Sequence, residues 1–253
     1  MNALTVTGLS KSFGGVKAIQ DLSFDVHAGT VHAIIGPNGA GKTTLINLVT
    51  GIYTPDAGTV ELFGQDVGGC APEGLAKLGL SRTFQNLQVC MNMSAVDNVM
   101  IGAHLSLASG LLLGMLRLPS LRRADAACRE RALELMEFVG VAQYAGSQAS
   151  QLPYGALKRL EIARALAASP RLLLMDEPAA GLNHTETAEI ELLIRRIAES
   201  GTTVVLVEHD MKLIMGVSDR ILVLHYGRRL ALGTTEEVRN HPEVISAYLG
   251  ATA

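Results

Sequence analysis

Gly36-Pro37-Asn38-Gly39-Ala40-Gly41-Lys42-Thr43 is the stretch that decides how this chain folds. It fits G-x-x-x-x-G-K-[ST], the phosphate-binding P-loop. The spacing has a physical cause. The glycines let the backbone turn tightly and aim several N–H groups into one concavity, which suits phosphate oxygens. Lys42 adds a point charge for β- and γ-phosphates, and Thr43 offers a hydroxyl to Mg²⁺. The preceding Val31-His32-Ala33-Ile34-Ile35 reads as a buried strand. The following Thr44-Leu45-Ile46-Asn47-Leu48-Val49 reads as a helix whose N-terminus faces the phosphates. Gly36, Pro37, Asn38, Gly39, Ala40, Gly41, Lys42, Thr43 and Thr44 are therefore the expected phosphate cradle.

The second chemical stretch is Leu172-Leu173-Leu174-Met175-Asp176-Glu177-Pro178, an apolar strand ending in two acids. Acids at the C-terminal end of a parallel strand point into the ligand crevice. Asp176 is placed to hold Mg²⁺, and Glu177 to polarise a water for attack on the γ-phosphate. Thr203-Val204-Val205-Leu206-Val207 and Ile221-Leu222-Val223-Leu224 are further apolar runs of the kind covered on both faces of a parallel sheet.

Outside this core, Leu4 to Val6, Leu22 to Val26 and Gly58 to Phe63 alternate like strands with one buried face, giving a small, largely antiparallel sheet. From Ser94 to about Ser169 the pattern turns helical, with a break near Leu118-Pro119-Ser120. Asn183 followed by Glu186 reads as a capping box opening a helix to about Ala198. The fold class is α/β: a P-loop NTPase core with a small antiparallel β subdomain and an inserted helical lobe. A single domain is expected over 1–253, with the lobe at about 86–158 and a C-terminal tail at about 234–253.

Bulk properties narrow the function. A formal net charge of -3 argues against phosphate-tracking nucleic-acid binding. Cys70, Cys90 and Cys128 show no metal-ligand spacing and read as free thiols in a reducing compartment. The start lacks a basic region followed by an apolar stretch, so no signal peptide is expected. Mean hydropathy is +0.28, which fits either an apolar-rich core or a subunit that docks on a membrane partner. Asn98 to Leu116 is uncharged, but its glycines, serines, Asn98 and His104 argue against a membrane span.

Taken together, the motifs resemble those of the ATP-binding subunits of ABC transporters, over nearly the whole chain. The P-loop matches Walker A, and Asp176-Glu177 match Walker B and the catalytic glutamate. Thr83-Phe84-Gln85-Asn86 resembles the Q-loop, Ala179-Ala180-Gly181-Leu182-Asn183 the D-loop with Asn183 where Asp is more usual, and Glu208-His209-Asp210 the switch region. The resemblance implies that Gln85 senses Mg²⁺ and water, that His209 contacts the γ-phosphate and that Phe13 stacks on adenine. Read alone, Gln85 is a surface amide, His209 a structural histidine and Phe13 a core residue. Catalytic roles are expected for Glu177, His209, Gln85 and Lys42, and metal contacts for Thr43, Gln85 and Asp176.

One motif departs from the family. Where the signature is Leu-Ser-Gly-Gly-Gln, this chain has Leu152-Pro153-Tyr154-Gly155-Ala156. Leu152 and Gly155 match and are expected to touch the nucleotide bound by an opposing subunit. Pro153 lacks the serine hydroxyl that meets that nucleotide's γ-phosphate. Within the family the resemblance is to branched-chain amino-acid-type importer ATPases, on Arg82 to Asn86, Pro178 to Asn183, Glu208 to Lys212, the segment from Leu111 to Arg123 and the ending Ala247-Tyr248-Leu249-Gly250.

The resemblance implies ATP and Mg²⁺ as ligands and a peripheral place on the cytoplasmic face of the inner membrane. It implies two permease subunits, a second related ATPase in a heterodimer or else a homodimer, an indirectly acting periplasmic binding protein, and no nucleic acid. The cargo is expected to be branched-chain or other amino acids. The alternatives are an ABC exporter or lipid-extraction ATPase, or a soluble ABC ATPase acting on nucleic acid or ribosomes. The groove by Gln85, including Leu87, Val89 and Met91, is expected either to receive a permease helix or to be lobe core.

Overall fold

Five-residue runs of branched and apolar side chains build the centre of the molecule. In the computed structural model, which describes residues 1–103 and 119–249, β3 (Val31–Ile35), β7 (Leu172–Asp176) and β8 (Thr203–Val207) are buried at every position. Of the segments singled out in the sequence, Leu111 to Leu118 and Gly250 lie outside the described residues. β3, β7 and β8, with β6 (Leu80–Arg82), β9 (Arg220–His225) and β10 (Arg228–Gly233), form a six-stranded sheet of order β10-β9-β3-β8-β7-β6. Every pairing is parallel except β9 with β10.

A second sheet, wholly antiparallel, has the order β2-β1-β4-β5, from β1 (Asn2–Phe13), β2 (Val16–His27), β4 (Ala57–Leu62) and β5 (Gln65–Asp66). Its strands run longer than the alternation suggested, because β1 and β2 continue through several register shifts to the Gly14–Gly15 turn. Phe63 is not part of the strand. It turns the chain with φ 53. The inner face, with Leu4, Val6, Leu22 and Phe24, shares a core with Leu45 and Ile46 of α1 (Lys42–Val49) and Leu75 of α2 (Pro72–Lys77).

Among the described residues, His32 of β3 is the one histidine locked into the interior. It is 1 % exposed, packs against Phe24 and finds a hydrogen-bond partner for neither ring nitrogen. Burial, then the charge of Arg220 and of His27, lowers its pKa from 6.5 to about 4. The fold therefore refuses a proton that the unfolded chain accepts. This contribution is whole at neutral pH and is lost as pH falls from 6.5 towards 4. Acidification from pH 7 to 5 is expected to cost about 2 kcal/mol of stability through His32 alone. His32→Leu should flatten that dependence and raise stability at neutral pH by removing two orphaned polar atoms. Denaturant midpoints of the two proteins at pH 7 and pH 5 check this, and equal acid losses would refute it.

The helical part packs α3 (Ala95–Gly102), α4 (Pro119–Phe138) and α5 (Tyr154–Leu166) around Val96, Val99, Met136 and Leu160. Ser94 caps α3 by accepting from the Asp97 N–H. A Cβ on Gly102 would run into the Arg164 carbonyl, so only glycine lets α3 approach α5 this closely. Further along come α6 (His184–Glu199) and α7 (Met211–Val217). Asn183 opens α6 with the capping box read from the sequence, accepting from Thr185 and Glu186 N–H while Glu186 answers to the Asn183 N–H. No helix among the described residues is long and apolar enough to cross a membrane.

Candidate active site

Parallel strands deliver the site. The C-terminal ends of β3, β8, β7 and β6 lie side by side, with Ile34 and Asp176 both in register with Val207. The segments that follow these strands therefore meet at one edge of the sheet, however far apart they stand in the chain.

The P-loop leaves β3. Gly41 sits at φ 104, and a Cβ there would stand 2.6 Å from the Ala18 carbonyl oxygen, so the turn requires glycine. Lys42 opens α1, and its Nζ donates to the carbonyls of Gly36 at 2.6 Å and Pro37 at 3.2 Å. Burial pulls its ammonium below the ordinary lysine value, while the carboxylates of Glu177 and Asp176 pull the other way. A cavity of about 560 Å³ is lined by residues 38–44, Gln85 and Glu177, and by Val16, Gln20 and Tyr226. Gly36 and Pro37 do not line it; they anchor Lys42 from behind.

Gln85 and Glu177 meet, Nε2 donating to Oε2 at 3.0 Å. His209 follows β8, and its Nδ1 lies 3.9 Å from Glu177 Oε1 and 3.6 Å from Glu208 Oε2. The Asp176 carboxylate accepts from Arg82 at 3.0 Å, and Arg82 also donates to Asn47 at the far end of α1. Thr43, Gln85 and Asp176 offer oxygen donors of the hard kind that Mg²⁺ prefers. Among the described residues no group of three or more His, Cys, Asp or Glu could hold a metal.

The remaining expected residues lie outside the lining of this cavity. Phe13 is 41 % exposed, just outside the lining, and meets Tyr53 edge-on at 5.2 Å, while its strand partner Val16 does line the cavity. Leu152 is buried among the helices, so its side chain packs there and is not free to touch a ligand, while the backbone at Gly155 remains at the start of α5. Val89 is core and Leu87 packs on it, leaving Met91 exposed. The groove beside the loop is lined instead by Arg82, Phe84, Gln88, Ile101, Glu161 and Arg164, with a volume of about 460 Å³.

Glu208 was legible only as part of a motif. Buried to 2 %, it accepts from the N–H groups of Ala179, His209 and Asp210, tying the loop after Glu177 to the loop after β8. Arg82, Lys158 and Glu161 also pass unnoticed as site residues. The last two, with Arg164, recur every three residues on one face of α5. That spacing was the available signal, but charged residues at helical spacing ordinarily mark a solvated face.

Comparison with known proteins agrees with this geometry. The ABC transporter family model matches residues 19–180, and the model of the branched-chain amino acid ATP-binding cassette transporter matches residues 228–253. The chain is 44 % identical over 248 residues to the high-affinity branched-chain amino acid transport ATP-binding protein LivG of Escherichia coli K12, covering 98 % of this chain and 97 % of that one. It is 43 % identical over 248 residues to BraF of Pseudomonas aeruginosa, described in the same words, with the same coverage. Among solved structures, an ATP-binding cassette of an ABC transporter in its ADP conformation superposes with a TM-score of 0.86 at 30 % identity, covering 99 % of both chains.

Proposed function

This chain belongs to the ATP-binding subunits of ABC transporters, and from that membership we propose that it powers an importer of branched-chain or other amino acids. It binds ATP with Mg²⁺ and hydrolyses ATP. The observation that carries the residue-level reading is the convergence of Lys42, Gln85, Glu177 and His209 at one sheet edge.

Residues 38–44 cradle the phosphates, with Lys42 as the point charge for the γ-phosphate and the Gly36 and Pro37 carbonyls behind it. Glu177 takes the proton of the attacking water, Gln85 orients Glu177 and the water, and His209 contacts the γ-phosphate. Thr43, Asp176 and Gln85 would hold Mg²⁺, which would supply charge neutralisation on the phosphate oxygens. Catalysis is then mostly positioning and electrostatic stabilisation. Phe13 is the weakest member of this set, since it does not itself line the cavity.

Importers of this family work with permeases and a binding protein. We place this chain against two permeases at the cytoplasmic membrane face, paired head to tail with a second, related ATPase. The groove containing Phe84 receives a short permease helix. Supporting this are the C-terminal match at residues 228–253 and the 40 % exposure of Phe84 beside Arg82. Deleting this subunit in its source strain should abolish uptake of one class among amino acids, amides and urea. The unaltered gene should restore uptake, and Phe84→Glu should fail to, although that variant still binds ATP. Removing an aromatic anchor of this kind costs about 2 kcal/mol of association, or roughly thirtyfold. Undiminished uptake in the deletion strain, or full rescue by Phe84→Glu, would contradict the reading.

A further inference from the structure

Lysine is among the residues least often fully buried. Yet Lys158, in the first half of α5, is 2 % exposed. Its Nζ lies 3.3 Å from the carbonyl oxygen of Gln85 and 3.5 Å from that of Glu177. Both distances are long for hydrogen bonds. The interaction is that of a charge with two converging carbonyl dipoles in a poorly hydrated space, where such attraction is stronger than in water. Glu161 follows three residues later at 5 % exposure, and its Oε1 accepts from the N–H groups of Phe84 and Gln88 at 3.3 and 3.4 Å. Burial raises its carboxyl above the ordinary glutamate value, against the pull of those two amides, Lys158 and Arg164. Arg164, three residues further, donates to the Gln88 carbonyl. One helix thus grips the loop 84–88 at both ends and at Gln85.

Stability does not explain these choices. Apolar side chains of similar volume commonly serve a buried site as well as ions do, or better. What the arrangement does provide is a fixed spacing between two backbones. Glu177 sits at φ 48, in the left-handed region that non-glycine residues seldom occupy. Its N–H donates to Val207, and its carbonyl faces the Ala180 N–H as well as Lys158. The side-chain contact of Gln85 with Glu177 exists only while these two backbones keep their separation.

We infer that Lys158 is a positioning residue for ATP hydrolysis: it holds the backbone of Gln85 to that of Glu177, so that the two side chains meet at the phosphate cradle. This rests on the reading of Glu177 and Gln85 as the hydrolytic pair.

The test uses the assembled transporter carrying Lys158→Met, Lys158→Arg, Glu177→Gln and the double variant Lys158→Met/Glu177→Gln. Lys158→Met keeps most of the length and the packing and removes the charge. It should lower kcat by about 10- to 100-fold, the scale of a small misplacement of reacting groups. The KM for ATP should stay within about twofold, because binding at the P-loop is untouched. Lys158→Arg should recover most of the rate. In the Glu177→Gln background Lys158→Met should cost almost nothing further, since the group it positions has gone. Normal kcat in Lys158→Met beside a dead Glu177→Gln overturns the role of Lys158 alone. A joint loss of kcat, ATP affinity and melting temperature makes Lys158 merely structural and overturns it too. Normal turnover of Glu177→Gln removes the hydrolytic pair, and this inference with it.

Discussion

Glu177→Gln in the assembled transporter is expected to cut steady-state ATP turnover by about 10²- to 10⁴-fold, the usual contribution of a positioned general base, while ATP binding persists. The amide is isosteric with the carboxylate, so the contact with Gln85, 3.0 Å in the native site, can be kept by a rotated side chain. What is lost is the capacity to take a proton from water. The ATP-bound dimer should therefore accumulate. Lys42→Ala should fail at the earlier step. Its Nζ is poised on the Gly36 and Pro37 carbonyls at the floor of the P-loop, and removing it deletes a charge-assisted phosphate contact. Measured ATP affinity should fall with Lys42→Ala and hold with Glu177→Gln. Normal turnover of the Glu177→Gln complex would end the assignment of Glu177.

The second large effect concerns the signature. Pro153 occupies the N-cap of α5, with φ −58 and ψ 153, and no side chain caps the helix. A serine there would present a hydroxyl to the γ-phosphate bound by the opposing subunit; Pro153 presents none. Loss of one such donor costs about 3 kcal/mol, or roughly a hundredfold in rate. If the partner ATPase carries a serine signature, the site built on Lys42 and Glu177 is the faster one and the site facing Pro153 the slower. Separate glutamate-to-glutamine changes in the two subunits read this out. Glu177→Gln should remove most turnover and the equivalent partner change less, and a larger loss from the partner change would refute the asymmetry. Pro153→Ser should raise single-turnover hydrolysis at the partner's P-loop. In a homodimer both sites face Pro153 and no asymmetry arises, so subunit composition is measured first.

The residues at the sheet edge were legible in the chain because each is written locally. A P-loop needs glycines and a lysine at fixed spacing, the strand before it needs an apolar run, and the acids of β7 follow such a run directly. The capping box at Asn183 and Glu186 is equally local, since its bonds span three residues. Order along the chain was enough to group these motifs and to name the reaction. Register was another matter. Where Phe13 lies depends on how β1 slips past β2 and β4 through their bulges, and no periodicity in the chain records those slips. The apolar residues after Gln85 looked alike in sequence, but burial separates Val89 in the core from Met91 at the surface.

The amino-acid sequence by itself determined the P-loop core, the nucleotide chemistry and the family, because these rest on short spacings that backbone geometry enforces. Only the tertiary structure decided which charged side chains became interior. Lys158, Glu161, Arg82 and Glu208 are ordinary polar letters in the chain, and three of them lie on helix or strand faces that read as solvated. Lys158, Glu161 and Glu208 are buried and Arg82 nearly so because the parallel order of β3, β8, β7 and β6 brings four loops to one edge, where α5 closes over them. Their backbone carbonyls and amides, withdrawn from water there, need partners, and side chains from distant parts of the chain are what reach them.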